Sequence, residues 1–166
     1  MTTVHAYTAE QDLVDGPPPA LHRDLRRARA AAVNIVPTTT GAAIAVAKSF
    51  REVEGKFDGA AIRVPVVCGS VSDFTFLVSK KTSIEVINEV FKKAVENPMY
   101  SGILAVTDAP IVSTDIIGRP ESAIVDLPST KVVDGDLVRV LAWYDNEWGY
   151  ANRLVEQVIE VGSKLS

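Results

Sequence analysis

His5, in the run His5-Ala6-Tyr7-Thr8, is the first side chain of the sequence able to move a proton at neutral pH. A free imidazole titrates near ~6.5, so it can pair with a thiolate and shuttle a proton, although a lone strand histidine is more often simply satisfied by a core. Thr40-Gly41, ahead of an apolar stretch, offers a hydroxyl, backbone N–H groups and a helix dipole to an anion; without a ligand the same string is an ordinary cap. Arg63, in a predicted strand, presents a planar fork of donors suited to an anion, and Thr8, at the end of another, offers a short hydroxyl. The plain alternatives are an arginine paired with a surface carboxylate and a threonine filling a sheet. Asn146 can donate to and accept from a carboxamide, and it can equally cap the helix that follows it. Cys68, the single cysteine, falls between two predicted strands and far in sequence from any helix N-terminus that would activate it, so it reads as inert.

Positioning these groups requires a sheet. Residues 2–8 alternate as a short strand, and residues 57–65 and 70–79 read as two long ones. Further strands are predicted at 102–107, 122–127, 131–133 and 137–144, with Gly135 between Asp134 and Asp136 marking a hairpin. Pro37 blocks helix before it, Thr38-Thr39-Thr40 supplies hydroxyl caps, and 41–50 reads as a short, apolar, buried helix. Thr82-Ser83-Ile84-Glu85 has capping-box spacing, and Ile84, Ile87, Phe91, Ala94 and Val95 form an apolar stripe that ends before Asn97-Pro98. From Glu147 onward, Leu154, Val155, Val158, Ile159 and Leu165 keep helical spacing. The class is α+β: a large mixed, mostly antiparallel sheet with helices packed on one face. The stretch between Ala9 and Pro37 contains Pro17-Pro18-Pro19 and the basic run Arg23-Asp24-Leu25-Arg26-Arg27-Ala28-Arg29, and reads as a functional loop.

Composition narrows the function classes. Seventeen Lys and Arg against 21 Asp and Glu leave a net charge of -4, with no global attraction to nucleic acid or anionic membrane. The arginine run has Asp12 and Asp24 nearby and no aromatic interleaving, which speaks against a nucleic-acid patch. A single cysteine, no zinc-like Cys/His spacing, no signal-peptide pattern and no apolar run of ~20 residues predict a cytoplasmic protein with no metal site and no membrane span. No G-x-G-x-x-G string occurs, so no dinucleotide-binding unit is predicted; residues 1–166 are expected to form one domain.

Five segments carry a resemblance: His5-Ala6-Tyr7-Thr8; Asp24-Leu25-Arg26-Arg27-Ala28-Arg29-Ala30-Ala31-Ala32; Asn34-Ile35-Val36-Pro37-Thr38-Thr39-Thr40-Gly41-Ala42-Ala43; Ile62-Arg63-Val64-Pro65-Val66; and Trp143-Tyr144-Asp145-Asn146-Glu147-Trp148-Gly149-Tyr150. In this order and at nearly this spacing they resemble the catalytic domain of phosphorylating glyceraldehyde-3-phosphate dehydrogenase, almost from end to end of the chain. That family is glycolytic and tetrameric. It oxidises an aldehyde through a cysteine hemithioacetal, passes hydride to a nicotinamide cofactor, and releases an acyl phosphate.

The resemblance implies roles. His5 stands at the catalytic base, Thr8 and Arg63 at the substrate phosphate, Thr40 and Gly41 at the inorganic phosphate, and Asn146 at the nicotinamide carboxamide with Tyr150 nearby. The implied small-molecule partners are glyceraldehyde 3-phosphate and inorganic phosphate. The implied cofactor is NAD, with NADP left open, and only where a nucleotide-binding domain is supplied. The family's nucleophilic Ser/Ala-Cys-Thr-Thr-Asn-type string would precede Met1, so the domain is expected to be incomplete at its N-terminal edge and the chain alone inactive. A homo-oligomer, or association with the missing nucleotide-binding half, is expected from the apolar surface left open. The alternative reading is a non-catalytic oligomerisation or phosphate-binding domain derived from the same family.

Overall fold

Val138, Val140 and Ala142 are buried while Leu137, Arg139 and Leu141 between them are more open, the period-two pattern of a strand with one covered face. In the computed structural model, which describes residues 1–17 and 24–165, this strand lies inside a seven-stranded sheet. The strands are β1 (Thr2–Ala6), β2 (Val36–Thr39), β3 (Ala60–Val64), β4 (Ser70–Leu77), β5 (Leu104–Thr107), β6 (Ala123–Val133) and β7 (Leu137–Tyr144). Their order is β2-β3-β1-β4-β7-β6-β5. The β1–β3 and β5–β6 pairs are parallel and the other four antiparallel, so the sheet is mixed and mostly antiparallel, as the sequence predicts.

Among the described residues three α-helices accompany it: α1 (Ala42–Ser49), α2 (Ile84–Val95) and α3 (Trp148–Gly162). The apolar stripe of α2 puts Ile87 and Phe91 against a core of Val125, Leu127, Val138 and Val140. Its cap is displaced by one residue from the predicted box: Ser83, not Thr82, accepts from the Val86 N–H, while the Thr82 hydroxyl is buried without a partner. The β6–β7 hairpin turns through Asp134 and Gly135, both at positive φ (47° and 74°), which the right-handed twist of the strands favours.

Three expectations change. Residues 36–39 form a strand rather than only a cap, paired antiparallel with β3 from Val36 opposite Arg63 to Thr39 opposite Ala60. Pro37 is tolerated because β2 is an edge strand, where a missing N–H costs no ladder bond. Residues 123–133 are one strand interrupted by a register shift between Asp126 and Lys131, not two strands. The buried Asp126 carboxylate stabilises the irregularity by accepting from the Ser129 N–H and from Trp143 Nε1. Helix α1 forms but is not buried: only Ala43 is covered, and Ile44 is 64% exposed. Apolar composition signals a surface that wants cover without saying which element covers it.

The described part of the long 9–37 segment is ordered by its own pairings. The Asp15 carboxylate accepts from Arg29 Nε and the Ala30 N–H, and the Ala31 N–H donates to the Asp12 carbonyl. Arg26, Arg27 and Arg29 pair with Asp24, Glu10 and Asp15, so these basic side chains have internal counterions. Pro18, Pro19 and Arg23 lie outside the described residues. Among the described residues no helix is long and apolar enough to cross a membrane.

Candidate active site

The parallel β1–β3 pairing sets His5 directly opposite Arg63. Strand β2, on the far side of β3, delivers Thr40 and Gly41 at its end, where the Thr40 hydroxyl accepts from the Ala42 N–H of α1. His5, Thr40, Gly41 and Arg63 therefore line one cavity of about 530 Å³, together with Arg27 and Tyr144. Four residues chosen from dispersed stretches of sequence meet in one place. Thr8 joins them through Arg63, whose Nη1 donates to the Thr8 hydroxyl at 2.8 Å.

His5 is fixed for one tautomer. Its Nδ1 donates to the Ala6 carbonyl at 2.6 Å, which leaves Nε2 with the lone pair that a proton acceptor needs. Burial lowers its pKa below that of a free imidazole, the bond to Ala6 opposes the shift, and the Arg63 charge adds to it. The ring therefore stays neutral near pH 7. Tyr144 packs edge-on to it at a centroid distance of 6.1 Å, with its own phenol pushed up by burial.

Arg63 and Arg27 form the cationic side of the cavity. Arg63 also donates to Gln11 Oε1 and, through Nη2, to Glu10 Oε1. Arg27, only 8% exposed, donates from Nε to the Thr38 hydroxyl, from Nη2 to the Thr39 carbonyl and from Nη1 to Glu10. Neither Arg27 nor Glu10 stands out in the sequence as a site residue; the signal available is the mixing of Glu10, Asp12 and Asp15 with the arginine run.

Asn146 and Tyr150 do not line this cavity. The Asn146 Oδ1 accepts from the Gly69 N–H and the Ser70 hydroxyl, and Ser70 Oγ in turn accepts from the Ala6 N–H beside His5. With two donors on its oxygen the amide orientation is set, and its buried Nδ2 keeps hydrogen-bonding capacity unspent. Such an orphaned donor fits an external carbonyl oxygen. Tyr150 is 70% exposed in the first turn of α3.

Between these residues, Asp145 accepts from the N–H groups of Gly118, Glu147 and Trp148, which caps α3 and fixes the strand-to-helix turn that carries Asn146. Burial alone would raise its pKa, but the three N–H groups outweigh it and lower the carboxyl. Cys68 shares a surface recess with Asp145, Glu147 and Trp148 at the start of α3, so the chain folds it next to a helix N-terminus that is distant in sequence. Its thiol is nonetheless pushed up, by burial and by the Asp145 carboxylate, and Cys68 is not among the residues lining the cavity that holds His5. No cluster of three or more His, Cys, Asp or Glu suited to a metal occurs among the described residues.

The family model for the glyceraldehyde 3-phosphate dehydrogenase C-terminal domain matches residues 1–146. The chain belongs to this family. Glyceraldehyde-3-phosphate dehydrogenase from Mycobacterium bovis is 54% identical over 165 residues, covering 99% of this chain and 47% of the relative. The Mycolicibacterium smegmatis dehydrogenase has the same identity and coverage, and glyceraldehyde-3-phosphate dehydrogenase 1 of Streptomyces avermitilis is 51% identical over 99% of this chain and 48% of its own length. The chain thus spans about half the length of the curated relatives it matches. Membership of this family matches the seven-stranded sheet to the C-terminal domain of glyceraldehyde 3-phosphate dehydrogenase.

Proposed function

We propose that the cavity is the phosphate-recognising and proton-transferring part of an oxidoreductase site that converts glyceraldehyde 3-phosphate and inorganic phosphate to an acyl phosphate. The observation that carries this reading is the convergence of a neutral imidazole, two guanidiniums and a hydroxyl-bearing helix start on one cavity. His5 Nε2 accepts the proton of a nucleophilic thiol as the thiol adds to the aldehyde, hands it to the hemithioacetal oxygen, and takes it up again when that carbon is oxidised. Arg63 and Thr8 hold the ester phosphate of the substrate, since a planar fork and a hydroxyl fix both the position and the charge of such a group. Thr40 and Gly41 hold inorganic phosphate at the start of α1.

NAD or NADP supplies the hydride acceptor when bound. Asn146 fits its carboxamide, because Gly69 and Ser70 orient the amide and leave Nδ2 for an outside carbonyl; Tyr150, four residues on, flanks that end of the site. The residues present suit only the nicotinamide end, since the sequence holds no glycine-rich dinucleotide string. In this reading the domain works beside a nucleotide-binding half, in a cytoplasmic, oligomeric assembly, and residues 1–166 act as one catalytic domain within it. The only thiol, Cys68, is unactivated, so the chain alone does not turn over.

The test mixes the chain with the N-terminal half of the M. smegmatis relative, NAD, inorganic phosphate and glyceraldehyde 3-phosphate, and follows absorbance of the reduced cofactor. Activity is expected only in the mixture and is lost with His5→Asn. Turnover by the chain alone, or full activity of His5→Asn, overturns the assignment.

A further inference from the structure

Two cations of the cavity already share an anion. One carboxylate oxygen of Glu10 receives Arg27 Nη1 at 2.6 Å and Arg63 Nη2 at 3.1 Å. The Glu10 side chain is 32% exposed, against 10% for Arg27 and 13% for Arg63. Of the three, the carboxylate is the most open to solvent. The two guanidiniums also have anchors that do not depend on it: Arg27 holds the Thr38 hydroxyl and the Thr39 carbonyl, and Arg63 holds Thr8 and Gln11. Taking Glu10 away would remove a negative charge while leaving both forks in place.

We propose that Glu10 is a specificity-determining residue, a resident carboxylate that an incoming anion must displace from Arg27 and Arg63. This rests on the reading of the cavity as a phosphate site. A tethered carboxylate is present at high effective concentration, about millimolar for a short flexible link, and a free carboxylate of the same charge gains little by replacing it. A phosphate or phosphate ester carries up to two charges and three acceptor oxygens, enough to engage both forks at once. The exchange thus admits phosphate groups and turns away singly charged carboxylates. It also keeps two adjacent, largely buried guanidiniums neutralised in part while the site waits for substrate.

The proposal is tested by titrating inorganic phosphate, and separately acetate, into the full chain and into Glu10→Gln, following the amide resonances of Thr40, Gly41 and Arg63. The unchanged chain is expected to bind phosphate and not acetate. Glu10→Gln is expected to bind phosphate about tenfold tighter and to gain acetate binding, as removal of one nearby like charge requires. Phosphate affinity that is unchanged or weaker in Glu10→Gln overturns the proposal. Glu10→Asp, a methylene too short to bridge both arginines, gives the second reading and decides the matter if Glu10→Gln does not fold by circular dichroism. Affinity above that of the unchanged chain supports displacement, and affinity at or below it counts against. If phosphate binds to none of the three proteins, the phosphate reading of the cavity falls, and this proposal falls with it.

Discussion

Arg63 Nη1 donates to the Thr8 hydroxyl at 2.8 Å, two residues beyond the parallel register that sets His5 opposite Arg63. The strand pairing thus fixes the cation and the imidazole relative to one another, and the Arg63 bond holds the hydroxyl beside them. Arg63→Lys keeps the charge but loses the planar fork, and phosphate affinity should fall by about tenfold or more. Thr8→Val should weaken binding similarly and Thr8→Ser should not, because only the first removes the oxygen. Calorimetric titration with inorganic phosphate or a phosphate ester decides between them; equal affinity of Thr8→Val and the unchanged chain would separate Thr8 from the site.

Proton linkage at His5 has a definite sign. Burial first, and the Arg63 charge with it, holds the folded-state pKa below the 6.5 of a free imidazole, against the opposing bond to the Ala6 carbonyl. Below pH 6.5 the unfolded chain takes up a proton that the folded chain resists. Its contribution to stability is therefore complete above 6.5 and is lost as pH falls from there through the lowered folded value. Thermal melts between about pH 7 and about pH 5 should show less loss for His5→Asn than for the unchanged chain. An NMR titration of the His5 ring with a midpoint above 6.5 would contradict the burial argument.

Gly69 ties backbone geometry to Asn146. Its φ is 94°, a left-handed conformation, and an added methyl would collide with the Ser113 carbonyl oxygen. Gly69→Ala should destabilise the fold by about 2 kcal/mol in urea melts, the scale of local backbone strain. Since the Gly69 N–H also donates to Asn146 Oδ1, the side-chain amide resonances of Asn146 should shift in the same variant. A variant of native stability with an unmoved Asn146 signal would rule out this coupling.

Periodicity made α2, β7 and the Gly135 hairpin legible in the sequence, because each buries one face against a neighbour and repeats at the spacing that burial requires. Strand β2 was not legible, since a proline and three threonines carry a cap signal as readily as an edge-strand signal, and only pairing with β3 separates the two. The exposure of α1 was not legible for a related reason: its apolar residues do not announce that Ile44 and Val46 face outward in this chain. His5, Thr40, Gly41 and Arg63 could be named as a group because their surrounding motifs resemble a known family, and the sheet then brings them together. Arg27 and Glu10 were not legible because their ion pairs join residues 17 and 53 positions apart, in a segment with no periodic pattern to read.

Helix α3 carries the remaining prediction. Of its residues only Gly149 is buried, while Leu154, Val155, Val158 and Ile159 are 50%, 59%, 65% and 65% exposed. Nearby charges pair with one another, Arg153 with Glu156 and Lys164 with Glu160, and leave these four apolar side chains open to solvent beside them. A contiguous apolar stripe of this kind favours association over solvation. Val155 and Ile159 stand one turn apart on the same stripe, and covering the two side chains should stabilise a complex by about 3 kcal/mol together. The chain should therefore elute above monomer size in size-exclusion chromatography, with apparent size falling on dilution. The double substitution Val155→Asp with Ile159→Asp should return it to monomer while circular dichroism retains the helix, because neither side chain supports the internal packing. A clean monomer for the unchanged chain at micromolar concentration would show instead that α3 is content in water, and that its apolar stripe has no part in assembly.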